Sequence, residues 1–160
     1  MREILFKAKS IQTGEWIEGI PIKTHLGLFI SFEENPHYCS QYGYMEIDDI
    51  LIVDEKTLCQ FTGLCDKNGK KIWENDIVKT LSDIYAQVKF GLHHTTGFAF
   101  EGYNQGFYVD FPDETCLRHE LGYWDNKVEV KGNIFDNPEL LQENTNTARC
   151  TAGTSVLMRL

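Results

Sequence analysis

A chain of 160 residues, 42% hydrophobic and 24% charged, has the composition of a folded protein with one sizeable core or two small ones, which excludes disorder of the whole chain. Its net charge of −9 is spread over both halves, and Lys70 and Lys71, an adjacent basic pair, are flanked by Asp66, Glu74 and Asp76. Such a field repels a phosphate backbone and counts against nucleic-acid binding.

The apolar pattern follows period two far more than period 3.6. Ile4, Phe6 and Ala8 alternate with Lys7 and Lys9, and "QTGE" supplies a turn before "WIEGIPI", which predicts a first hairpin. Gly19 and Pro21 mark its second strand as an edge or a bulge. "GLFISF", closed by Asn35-Pro36, and "DDILIVD" predict two more strands, completing a first subdomain over about 1–58.

A second subdomain, about 59–144, opens on "QFTGLCDKNGKKIWENDIV", residues 60–78. Gly63, Asp66, Asn68, Gly69, Trp73 and Asp76 are its structural positions. In "DKNG", Asp66 suits the first place of a type I turn and Gly69 a left-handed fourth place; an Asn68-Gly69 type I′ turn is the other register. Both give a hairpin. "NDIVKT", "YAQVKF", "TGFAFEGY", "GFYVDF" and "KVEVKGNIF" predict further strands separated by Gly-bearing loops, one of which holds His93 and His94. "PDETCLRHELG" differs. Asp113 suits an N-cap, Leu117 and Leu121 are spaced i, i+4, and Gly122 suits a stop, so one short helix is expected over about 113–121. "DNPELL" closes the globular part, and 145–160, Thr-rich and without acid, is expected to be a loosely held tail. The expected fold class is therefore mainly β: two packed subdomains of short, bent antiparallel strands, the second like a small barrel.

No run approaches the roughly 20 apolar residues of a membrane span, and the first ten residues lack the apolar centre of a signal peptide. The cytoplasm is the expected location. Five cysteines, at 39, 59, 65, 116 and 150, contain no C-x-x-C pair and predict thiols rather than a disulfide framework.

Few residues carry candidate chemistry. Cys116, His119 and Glu120 have the tightest metal-like spacing, and His93 and His94 could approach them, but structural zinc needs four ligands in paired spacings and one such pair is present. Metal and other cofactors are therefore not expected. "DKNG" lacks the acidic spacing and the twelfth-position Glu of a calcium loop. Acid pairs such as Glu74 with Asp76 are expected as turn charges in so acidic a chain. Pairing Cys65 or Cys116 with His94 or His119 would make a nucleophile only if the thiol pKa were lowered, and the sequence offers no such signal. Trp16, Trp73 and Trp124 could form a base-stacking platform, yet a β-rich core needs large aromatics and the surrounding charge is wrong.

"REILFKAKSIQTGEWIEG", "IVDEKTL", "QFTGLCDKNGKKIWENDIV" and "ELGYWDNKVEVKGNIFDNPELL", in this order over residues 2–141, resemble the YopX family of bacteriophages and prophages. In that family Lys is typical where Cys65 stands, Tyr where Trp73 stands and Gly where Asn75 stands. Asn tolerates the left-handed conformation, so the last change leaves the turn intact. The resemblance implies a small β-rich accessory protein and supplies no catalytic residue or cofactor.

Two functions from different classes follow. The first is a non-enzymatic interaction module that binds a host or phage protein inside the bacterial cell, as a homo-oligomer, without membrane or nucleic acid. The second is a small metal-assisted enzyme acting on nucleotides or nucleic acid through its acids and histidines.

Overall fold

The computed structural model describes residues 4–32, 37–39, 44–46, 50–96, 101–111 and 118–142. They are mainly β, in antiparallel ladders, with 3₁₀ turns and, among the described residues, no α-helix and no closed barrel. By internal contacts the chain forms two compact units, Met1–Gly63 and Leu64–Leu160.

In the first unit β1 (Phe6–Lys9) and β2 (Trp16–Thr24) make the expected hairpin, with Lys9 opposite Trp16 and Gly14 at φ +73° in the turn. β3 (Gly27–Ser31) pairs with β2 and with β6 (Ile50–Val53). Within this unit the sheet order is β6-β3-β2-β1-β7, where β7 is Cys59–Cys65; β8, Lys71–Trp73, belongs to the second unit. β2 is thus interior, not an edge. It pairs with β1 up to Gly19 and with β3 from Ile20 onward, and Pro21, past the end of the β1 ladder, breaks no bond on that side. A Cβ at Gly19 would lie 2.1 Å from the Ser31 carbonyl oxygen, so glycine is what lets the backbones cross here. Alternation turns Leu28 and Ile30 inward, onto Ala8 and Val53, with Ile17 and Leu58 at the margin. A 3₁₀ turn, Glu55–Thr57, ties β6 to β1: Thr57 Oγ1 accepts the Lys9 N–H at 2.8 Å and the Asp54 N–H reaches the Lys9 carbonyl at 2.8 Å. A short ladder of β4 (His37–Cys39) and β5 (Tyr44–Glu46) lies in a stretch where the sequence pattern signals no strand.

In the second unit β9 (Asp76–Lys79), β10 (Tyr85–Thr96), β11 (Glu101–Asp110) and β12 (Glu129–Asn133) form a sheet in the order β11-β10-β9-β12. Ile72, Val78, Ala86, Val88, Val109, Phe111, Leu121, Val128 and Val130 make its core. Two expectations change. His93 and His94 lie within β10 rather than in a loop, because Gly91 pairs with Gly106 inside the ladder instead of ending it. The helix expected over 113–121 is not formed where the chain is described: Arg118 and His119 are non-helical, Glu120 bridges Tyr108, and Leu121–Trp124 is a 3₁₀ turn. Residues 112–117, with Cys116, lie outside the described residues, as does 145–160. At the described end of that segment β-pairing takes the place of helix: the Val109 N–H donates to the His119 carbonyl at 2.8 Å, and Leu121 turns into the core.

Candidate functional site

The motif at 60–78 uses its acids on its own backbone. Gly69 has φ +80° and its N–H donates to the Asp66 carbonyl at 2.9 Å, while Asn68 is not left-handed, which selects the type I turn of the two registers. Asp66, 1% exposed, accepts the Asn68 and Lys70 N–H groups on Oδ1, at 2.8 and 2.9 Å, and the Val130 N–H on Oδ2 at 3.0 Å. Burial would raise its pKa; the three N–H bonds, with the Lys70 charge, outweigh that and hold the carboxyl below its ordinary value. The buried Asp76 takes the Trp73 N–H at 2.9 Å across the next turn. At the centre of that turn Asn75 has φ +67°, its N–H reaching the Val88 carbonyl and its side chain accepting from Gln87 Nε2 at 2.8 Å. Beside the motif, Lys131 and Lys67 hold the Glu129 pKa at about 2. Gly63, also left-handed at φ +85°, ends the first unit, and Trp73 is buried.

The metal-type candidates are divided between β10 and the segment that follows β11. His93, 7% exposed, stacks on Tyr108 with ring centroids 5.0 Å apart, and its Nε2 has no hydrogen-bond partner among the described residues. His94 points to the other face of β10 and meets the edge of Tyr103 at 5.5 Å. His119 holds the Val109 carbonyl through Nδ1 at 2.9 Å. Glu120 Oε2 is buried, again with no partner among the described residues. Among those residues no three of His, Cys, Asp and Glu gather as metal ligands would. Cys59 and Cys65 are free thiols.

What the geometry does gather is apolar. β9 pairs with β10 only as far as Gln87, whereas β10 and β11 continue together to Thr96 and Glu101, so the outer part is a two-stranded ribbon. One face runs outward from the buried pair Val88 and Val109 through Phe90 and Phe107, whose rings meet at 5.1 Å, to Leu92, His94 and Tyr103. Phe90 is 52% exposed, Leu92 68% and Tyr103 70%. On the other face Tyr108 leans over Gly91, whose Cβ position lies 3.8 Å from the ring, to reach His93. The alternation of Phe90, Leu92 and His94 was the available signal for this surface, and Gly91 within it reads as a loop.

The YopX protein family matches residues 6–142 of the chain. No curated protein matches it. Among solved structures, the crystal structure of protein EF1440 from Enterococcus faecalis is similar over 88% of this chain and 99% of that one, with 22% identity and a TM-score of 0.55, a likeness of fold. With the family match running from β1 past the end of β12, the chain belongs to the YopX protein family.

Proposed function

We propose that the protein is a non-enzymatic interaction module, an accessory protein of phage or prophage that acts in the cytoplasm of the bacterial host by binding a host or phage protein, as a homo-oligomer. The observation that carries this reading is the ribbon face, where Phe90, Leu92 and Tyr103 stand exposed in one stripe continuous with the core. Exposed apolar surface that is contiguous and aromatic is characteristic of protein interfaces. The buried motif acids support it too, since Asp66 and Asp76 are spent on backbone N–H groups. A net charge of −9 disfavours nucleic acid as the partner. Affinity capture of the full chain from phage-infected or prophage-carrying cells tests the reading. A host or phage protein recovered in near-stoichiometric amount, and retained after nuclease treatment, is expected. Recovery that nuclease abolishes would replace the protein partner with a nucleic acid.

A further inference from the structure

The turn at the head of the motif holds the only Asn-Gly step of the chain, Asn68-Gly69. We propose that Asn68 is a site of spontaneous covalent modification, and that Asp66 is the latch that sets its rate. The Gly69 nitrogen attacks Asn68 Cγ and forms a C–N bond. The Cγ–Nδ2 bond breaks, and the Gly69 amide proton departs with Nδ2 as ammonia, leaving a five-membered succinimide. Water then opens the ring, at the Cγ side to give aspartate or at the main-chain carbonyl to give isoaspartate. The site suits this step. Asn68 and Gly69 are both exposed, and a Cβ at Gly69 would meet nothing within 4 Å, so no side chain shields the nitrogen and the ring has room to form.

What opposes the step is the turn itself. The Gly69 N–H donates to the Asp66 carbonyl at 2.9 Å, and Asp66 Oδ1 holds the N–H groups on either side, of Asn68 and Lys70, at 2.8 and 2.9 Å. A main-chain nitrogen in that bond can neither lose its proton nor swing onto Cγ. The ring therefore closes only from the opened turn, in proportion to its population. The product keeps the turn open. Aspartate brings a second carboxylate beside Asp66, and isoaspartate carries the main chain through an added CH₂ group, which throws the Lys70 N–H out of register with Oδ1. The carboxylate that also holds the Val130 N–H then loses its local anchor.

The test is incubation of the full chain in mildly alkaline buffer, folded and in denaturing urea, followed by proteolysis and mass spectrometry. Exchange of NH for O in the peptide containing Asn68 marks conversion. The folded chain should convert more slowly than the unfolded one by the factor that protects the Gly69 amide from hydrogen exchange. Asp66→Ala should speed conversion of the folded chain roughly tenfold. Should that variant fail to fold, sub-denaturing urea opens the turn of the wild type instead, and conversion should rise in step with Gly69 exchange. Conversion as fast in the folded chain as in the unfolded one overturns the latch. Conversion slower than Gly69 exchange allows overturns it equally, because the opened turn then does not reach the ring. Converted chain, separated by its extra negative charge, should melt below unconverted chain; equal melting overturns the stated effect on the turn.

Discussion

Burying Asp66 is favourable only because three N–H donors meet it, two from its own turn and one from Val130. Asp66→Asn keeps the shape but turns an NH₂ group toward a donor, and should cost roughly 2–4 kcal/mol in urea unfolding at pH 7. The folded pKa lies below the ordinary 3.8, so the carboxylate stabilises the fold above that pH and loses its contribution as pH falls through the folded value. The gap between wild type and the Asn variant should therefore narrow below about pH 4. At Gly69 the strain is purely conformational: φ is +80° and a Cβ would meet nothing within 4 Å. Gly69→Ala should cost roughly 1 kcal/mol, whereas Lys67→Ala, losing a solvent-screened pair with Glu129, should cost less in the same measurement. His119 spends Nδ1 on the Val109 carbonyl. His119→Ala should lower the melting temperature slightly and equally with and without chelator; bound zinc lost on that substitution, with a large fall in melting temperature, would contradict this.

At the scale of elements, turn chemistry was more legible than strand length. "DKNG" specified its hairpin because Asp and Gly have few competing uses at those turn positions. The length of β10 is hidden because Gly91 reads as loop punctuation, yet it is paired with Gly106 in the ladder and leaves room for the Tyr108 ring. The stripe on Phe90, Leu92 and Tyr103 was hidden by the same misreading. Gly132 shows a different use of glycine, at the irregularity between Val130 and Gly132 in the β12–β9 pairing. A Cβ there would lie 2.3 Å from Asn137 Oδ1, 2.7 Å from its Cγ and 2.9 Å from its Cβ, so the clash reaches the base of that side chain as well as its end. Gly132→Ala should destabilise by about 1–3 kcal/mol. Part of that loss should vanish in the Asn137→Ala background, which removes Oδ1 and Cγ but keeps the Cβ at 2.9 Å, and a double-mutant cycle measures the coupling. Strict additivity would show that the glycine is needed for its backbone and not for space.

For the whole molecule, two unequal cores set the order of opening. Among the described residues, the cluster around Val78, Val88 and Val109 contains nine buried residues, and that around Ala8 and Ile30 contains four. Native-state hydrogen exchange should find the amides of the smaller cluster opening at lower free energy than those of Val78 and Val109, with two separable denaturant dependences. One shared dependence would mean that the units unfold as one. The division falls between Gly63 and Leu64, inside β7, and nothing in the sequence pattern marks that strand as a boundary. Asp66 has a further consequence, in time rather than in stability. Its Oδ1 is satisfied within four residues, while Oδ2 waits for Val130, 64 positions away. The turn can therefore close early in folding, on the microsecond scale of a hairpin. The same side chain then remains half-satisfied until β12 arrives. Asp66 thus joins a local event to a distant one, and a Val130 bond made only after the main barrier predicts that Asp66→Asn speeds unfolding more than it slows folding in stopped-flow measurements.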